Sequence, residues 1–175
     1  MRIVVVAHDP AWRAGFEEEA SRILRVLGDR VLRLHHIGST AIPGIAAKPV
    51  IDLLMEVEDI VELDERNSGL EELGYESMGE FGITGRRYFR KDNAFGVRTH
   101  QVHAFAAEST EIARHLAFRD YMIAHPAEAR VYGELKRNLA REFPEDIQRY
   151  MDGKDPFIKE HQARALVWWT SRKAK

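Results

Sequence analysis

Two short stretches of this chain carry residue types that could hold a phosphate and an ion. Gly38-Ser39-Thr40 follows an apolar segment, where a strand is expected to end. A glycine there lets backbone amides approach a phosphate oxygen closely, and the two hydroxyls can donate as well. Alone, a Gly-Ser pair marks a plain turn far more often than a site. Asp52 is the second feature, with apolar residues on both sides in PVIDLLMEV. A carboxylate inside such a strand is costly unless a metal, an arginine or hydrogen bonds compensate it. The plainer reading is a structural aspartate bonded to a loop or an arginine.

Histidines and cations could complete the site. In a regular strand His100 and His103 face opposite ways, because their spacing is odd. His103, between Val102 and Ala104, is the better partner for Asp52, and His36 is expected to enter the same cleft from a neighbouring strand. An aspartate with one or two histidines favours Zn²⁺ or Mn²⁺ over Mg²⁺. Lys48 closes the loop after Gly-Ser, and Arg87 and Arg98 are candidate phosphate forks. Hydrogen-bonded imidazoles and surface ion pairs are the plainer roles for these side chains. Tyr88 and Phe89 could stack on a base, although core packing is the plainer role for them.

These residues need strands and turns to position them, and periodicity supplies a plan. Residues 2–7 read as a short strand. Asp9-Pro10 opens a helix in which Trp12, Phe16, Ile23, Leu24 and Leu27 recur at helical spacing up to Gly28. Residues 31–37 form a strand, and 38–48 a turn interrupted by Pro43 and Gly44. Pro49 opens a strand to about Val57 whose apolar face is Ile51, Leu53, Met55 and Val57. A helix over 59–73 follows, weakened at Asn67-Ser68-Gly69. Residues 75–78 read as a short strand, and 87–91 and 95–105 as two strands joined at Asp92-Asn93. Beyond Ser109 the chain reads as helical. One helix ends before Pro126, a second runs from Pro126 to about Phe143, and a third is capped by Asp155-Pro156. In that last helix Phe157, Ile158, Ala165 and the Trp168-Trp169 pair supply the inward positions. The pattern is an α/β (α+β) class, a mixed β-sheet flanked by helices with a helical C-terminal block. It predicts one domain over 1–175, with a core over about 1–107 and the helical block over about 108–175.

Strand, Gly-Ser, turn, then a strand bearing an aspartate: this order resembles the nucleotidyltransferase superfamily, which includes the X-family DNA polymerases. More narrowly, HIGSTAIPGIAAKPVIDLL (36–54) resembles the GrpB family of small bacterial proteins. Further likeness lies in HDPAW (8–12), RRYFRK (86–91), RTHQVHAF (98–105), FRDYMIAHP (118–126) and the tyrosine- and lysine-containing helical end. The resemblance implies a nucleotidyltransferase-like sheet and a nucleotide or related phosphate ligand at Gly38, Ser39 and Thr40. It also implies a divalent metal, usually Mg²⁺, at Asp52. The superfamily commonly carries a second acid two residues from the first, which puts both on one strand face. Here Val50 and Leu54 stand at those positions. Glu56 shares the face but lies roughly 13 Å along the strand, too far to share an ion.

Two functional expectations follow. One is a nucleotidyltransferase using Asp52 and His103, with Asp52, His103 and His36 holding Mg, Mn or Zn. The other is a non-catalytic binding or helper module. Some members of the resembled family are fused to dephospho-coenzyme A kinase, which implies a supporting role toward such a partner. The missing second acid favours the helper, and it makes a minimal nucleotidyltransferase of a toxin–antitoxin pair the poorest fit.

Composition limits the other classes. A chain of 175 residues can bury a core unaided. It has no cysteine, which excludes disulfides, thiol nucleophiles and cysteine-held zinc. A net charge of −2 gives no ground to expect nucleic acid. The basic tail Arg172-Lys173-Ala174-Lys175 reads as a solvated helix end. The apolar run 3–7 is too short for a signal-peptide core, and no segment approaches the roughly 18 to 20 apolar residues of a membrane helix. The chain is expected to be cytoplasmic.

Overall fold

The alternation in IDLLMEV decides the centre of the sheet. In a computed structural model covering residues 1–175, this segment is strand β2 (Ile51–Val57). It pairs antiparallel with β1 (Val31–Ile37) and parallel with β5 (Arg98–Ala106). β4 (Arg87–Asp92) and then β3 (Tyr75–Ser77) extend the sheet antiparallel, giving the order β1-β2-β5-β4-β3. Side chains alternate across a strand, so each face of this sheet needs its own cover.

One face carries Ile51, Leu53, Met55, Val57, Phe89 and Val102, all buried. Helix α1 (Ala11–Leu27) lays Ile23 and Leu27 on it. The short helices α2 (Ile60–Asp64) and α3 (Asn67–Glu72) add Leu63 and Leu70. The other face carries Ile37, Leu54 and Phe105 under Ile112 of α4 (Thr110–Ala124). Helices α5 (Pro126–Glu142) and α6 (Ile147–Lys173) complete the C-terminal block. That block has its own apolar cluster, in which Tyr121, Met122, Tyr132 and Ala165 pack against Ile42 and Ile45 from the turn before β2.

Several boundaries differ from the sequence reading. Residues 2–7 add no strand to the sheet; Val6 makes a single bridge to Ala47, and the Ile3 amide donates to the Pro144 carbonyl. Ile3 instead packs on Leu139 and Tyr150 of the helical block. The helix over 59–73 breaks in two, and Asp59 caps its first half by accepting from the Val61 and Glu62 amides. β5 begins at Arg98 because Asn93 folds 93–97 into a tight turn, its side-chain oxygen accepting from the Phe95 and Val97 amides. Phe95 is left 89% exposed at the tip. The last helix starts at Asp146, which caps it, and runs straight through Pro156. A proline there forfeits one backbone bond. The added first turns bury Tyr150 and Lys154, which accounts for the continuation. No helix is long and apolar enough to cross a membrane.

Candidate functional site

Register fixes which side chains meet. Asp52 lies beside Ile37 of β1 and Gln101 of β5, while Leu54 lies beside His103, and His103 beside Tyr88 of β4. Asp52, Gln101, His103 and Tyr88 therefore share the face that looks toward the helical block. The chain leaves β1 at Gly38 and passes directly over the Asp52 carboxylate. A Cβ on Gly38 would sit 2.6 Å from Asp52 Oδ2, and φ there is +72°. Residues 39–41 then form one 3-10 turn that buries Thr40. Asp52 Oδ1 lies 3.2 Å from His103 Nε2, and His103 Nδ1 lies 3.4 Å from the Arg86 guanidinium. A guanidinium can only donate, so Nδ1 accepts and the ring proton sits on Nε2, donating to Asp52. Arg86 is itself fixed by the carbonyls of Glu80 and Phe81.

Three lysines line, with this carboxylate, a cleft of about 620 Å³. Lys48 comes from the loop before β2, Lys136 from α5 and Lys154 from α6. Lys136 is 2% exposed, and its Nζ has no hydrogen-bond partner. The buried Tyr150 hydroxyl is equally unpartnered. Lys136 rests 4.4 Å from the Tyr132 ring centre and Lys154 4.6 Å from that of Tyr150, so aromatic faces give partial compensation. Burial, then Lys154 and Lys48, bring the Lys136 pKa down to about 7. Burial and Lys48 bring Lys154 down to about 8, against the pull of Asp52. Burial also lowers Lys48. Tyr132, beside Ser39, is pushed up to about 12 by burial. The cleft thus gathers three amines and a guanidinium around one carboxylate.

Gly38, Ser39, Thr40, Lys48, Asp52 and His103 converge on this cleft. His36 does not join Asp52. The antiparallel register sets it beside Leu53, on the α1 face, where it stacks on Phe16 and its Nε2 lies 2.8 Å from Thr40 Oγ1. Burial holds its pKa at about 4. Arg87 is one residue out of phase with the cleft and forms a two-pronged pair with Asp64, at 2.6 and 2.9 Å. Arg98 pairs with Asp92. Arg86 takes the cleft position expected of Arg87. His100 lies beside Ile51, on the face away from Asp52. Glu56 is held by His35 at 2.5 Å.

The expected three-donor metal set therefore does not assemble, and nowhere do three histidine, aspartate or glutamate side chains converge as ligands. Mg²⁺ requires oxygen donors in octahedral array. Here one carboxylate is bonded to His103 and faced by ammonium groups. The residues present do not fit a resident divalent ion.

Sequence reasoning did not single out Lys136, Lys154, Tyr132 or Tyr150, and it preferred Arg87 to its neighbour Arg86. A signal existed for the first four. YGELK (132–136) and YMDGK (150–154) each place a tyrosine and a lysine at i, i+4, on one helix face.

A five-stranded mixed sheet flanked by helices defines a nucleotidyltransferase-like fold. The poly(U) polymerase Cid1 with bound MgGTP shares it, with a TM-score of 0.52 at 15% identity over 77% of this chain and 44% of that one. Within that class the chain belongs to the GrpB family: the family model described as GrpB protein matches residues 2–164. The crystal structure of GrpB from Enterococcus faecalis superposes with a TM-score of 0.91 at 47% identity, covering 95% of this chain and 99% of that one. The UPF0157 protein YqkA of Bacillus subtilis is 41% identical over 171 residues, 98% of this chain but 49% of YqkA. This chain thus spans about half the length of that relative. The glutamate-rich protein GrpB of Alkalihalophilus pseudofirmus is 34% identical over 90% of this chain and 92% of its own length. More distantly, 94% of this chain matches 46% of the dephospho-CoA kinase of Mycolicibacterium paratuberculosis at 28% identity.

Proposed function

We propose that the cleft binds a nucleotide or a related phosphate-rich ligand, and that it binds without transferring. The observation that carries this reading is the Lys136 ammonium, buried with no counter-charge and no hydrogen-bond partner. An unpaired buried ion costs several kcal/mol, so such a group persists where a ligand supplies the missing charge. Phosphate oxygens suit it, and the Gly38-Ser39-Thr40 turn lines the same cleft. Transfer in this fold class relies on paired acids and metal, and Asp52 has no second acid beside it. Calorimetric titration with ATP and with dephospho-coenzyme A tests the reading. Saturable binding that is lost in Lys136→Met is expected. Absence of binding by any phosphate ligand would end it.

A second reading makes this binding serve a partner enzyme. It is favoured by the match to part of the mycobacterial dephospho-CoA kinase. The module would then support the folding or activity of the host's dephospho-coenzyme A kinase. A kinase whose activity and melting temperature are the same with and without this protein would rule that out.

A further inference from the structure

We infer that the cleft takes its polyphosphate ligand free of divalent metal, with Lys48, Lys136 and Lys154 supplying the positive charge that a metal would bring. The inference rests on the phosphate-ligand reading and adds to it the ionic form of the ligand.

The donor set argues for it first. The positions two residues from Asp52 are Val50 and Leu54, and Leu54 is fully buried in the core. The one other acid on that strand face, Glu56, is bonded to His35. Asp52 spends one oxygen on His103, while the other lies under Gly38 at a distance that leaves no room for a methyl group. An ion seated there would have to draw nearly all its ligands from outside the protein.

The cations argue for it second. None of the three lysines forms an ion pair; the lysine pairs in this chain are Lys91 with Glu19 and Lys159 with Asp155. Lys48 and Lys154 both feel Asp52, but one carboxylate cannot balance three ammonium groups and Arg86. Adding a dication to this cleft would add repulsion. A chain of phosphates would relieve it, satisfying the orphaned Lys136 Nζ and the orphaned Tyr150 hydroxyl together. The lysines arrive from a loop and two separate helices and converge on one cleft. Phosphates neutralised by fixed lysines carry a strong dependence on salt, because each contact is an ion pair.

The test is titration of ATP, and in parallel sodium tripolyphosphate, into the whole chain, once in excess EDTA and once in excess Mg²⁺. Binding in EDTA at least as tight as in Mg²⁺ is expected, with Mg²⁺ weakening it by competing for the ligand. Binding that needs Mg²⁺ would overturn this inference and leave the phosphate-ligand reading intact. No binding in either buffer would overturn both. If tripolyphosphate binds as tightly as ATP, the phosphates alone are recognised; if ATP binds more tightly, the nucleoside contributes, and the metal-free result stands in either case. An Asp52→Asn variant gives an independent arm. Removing a negative charge from a metal-free polyanion site should tighten ATP binding in EDTA about threefold or more, by the repulsion relieved. Loss of binding in a folded Asp52→Asn protein would contradict the inference.

Discussion

Gly38 and Asp52 are in contact: the backbone of one lies on the carboxylate of the other, so closely that a Cβ on Gly38 would fall 2.6 Å from Asp52 Oδ2. Two requirements coincide at this glycine, because its φ of +72° also lies in the left-handed region. A Gly38→Ala protein should lose about 2–4 kcal/mol of stability, from backbone strain and displaced packing together. Urea unfolding checks this, and a loss under about 0.5 kcal/mol, the usual range for a neutral surface change, would show that the contact is not tight.

The lysine cluster trades stability for binding. Replacing the buried Lys136 with methionine removes a charge that has no ion-pair or hydrogen-bond partner and keeps most of the volume. By analogy with other buried ions replaced by apolar side chains, the free protein should gain about 1–3 kcal/mol. The same change should reduce ATP affinity tenfold or more. Thermal melts and titrations on one preparation test both halves, and a destabilised variant would indicate that Lys136 has a structural partner.

The pH dependence has opposite signs for folding and for binding. Lys136 and Lys154 lose their protons near 7 and 8 in the folded chain, against 10.5 for an ordinary lysine. Between those values the unfolded chain holds more protons, so the stability of the free protein should rise with pH across that window. Ligand affinity should fall over the same range as the ammonium groups discharge. Urea unfolding and ATP titrations at intervals from pH 7 to 9.5 measure both slopes. Affinity that climbs with pH would contradict the lysine assignment.

Arg87 gives the negative control. Its guanidinium is engaged by Asp64 outside the cleft. Arg87→Ala should therefore leave ATP affinity unchanged while costing about 1–2 kcal/mol of stability, because the pair is two-pronged and partly buried. A tenfold weaker affinity would return Arg87 to the binding site.

The strand logic around Asp52 was legible in the sequence because it is local. Alternation in 51–57 correctly separates Asp52 from Ile51 and Leu53, and odd spacing correctly separates His100 from His103. The Gly-Ser turn and the missing second acid were legible for the same reason. His36 was misjudged because its face depends on the β1–β2 register, which sets it beside Leu53 and is not a local property. Arg87 was misjudged by one residue, and a shift of one residue exchanges the faces of a strand. Lys136 and Lys154 were missed because a lysine on a helix ordinarily reads as solvated. Their burial follows from α5 and α6 packing on one another and against the turn before β2, which no single helix reveals. The start of α6 was hidden by Pro156, whose helix-breaking tendency is overridden by the packing of Tyr150.

The central claim is that the Lys136 ammonium receives the phosphates. NMR of the lysine side-chain nitrogen measures this directly, by following the titration of Lys136 in the free protein and with saturating ATP. The account predicts a free midpoint near 7 that moves up toward the ordinary lysine range when ligand binds. An identical midpoint with and without ATP, under conditions where ATP is bound, would contradict it.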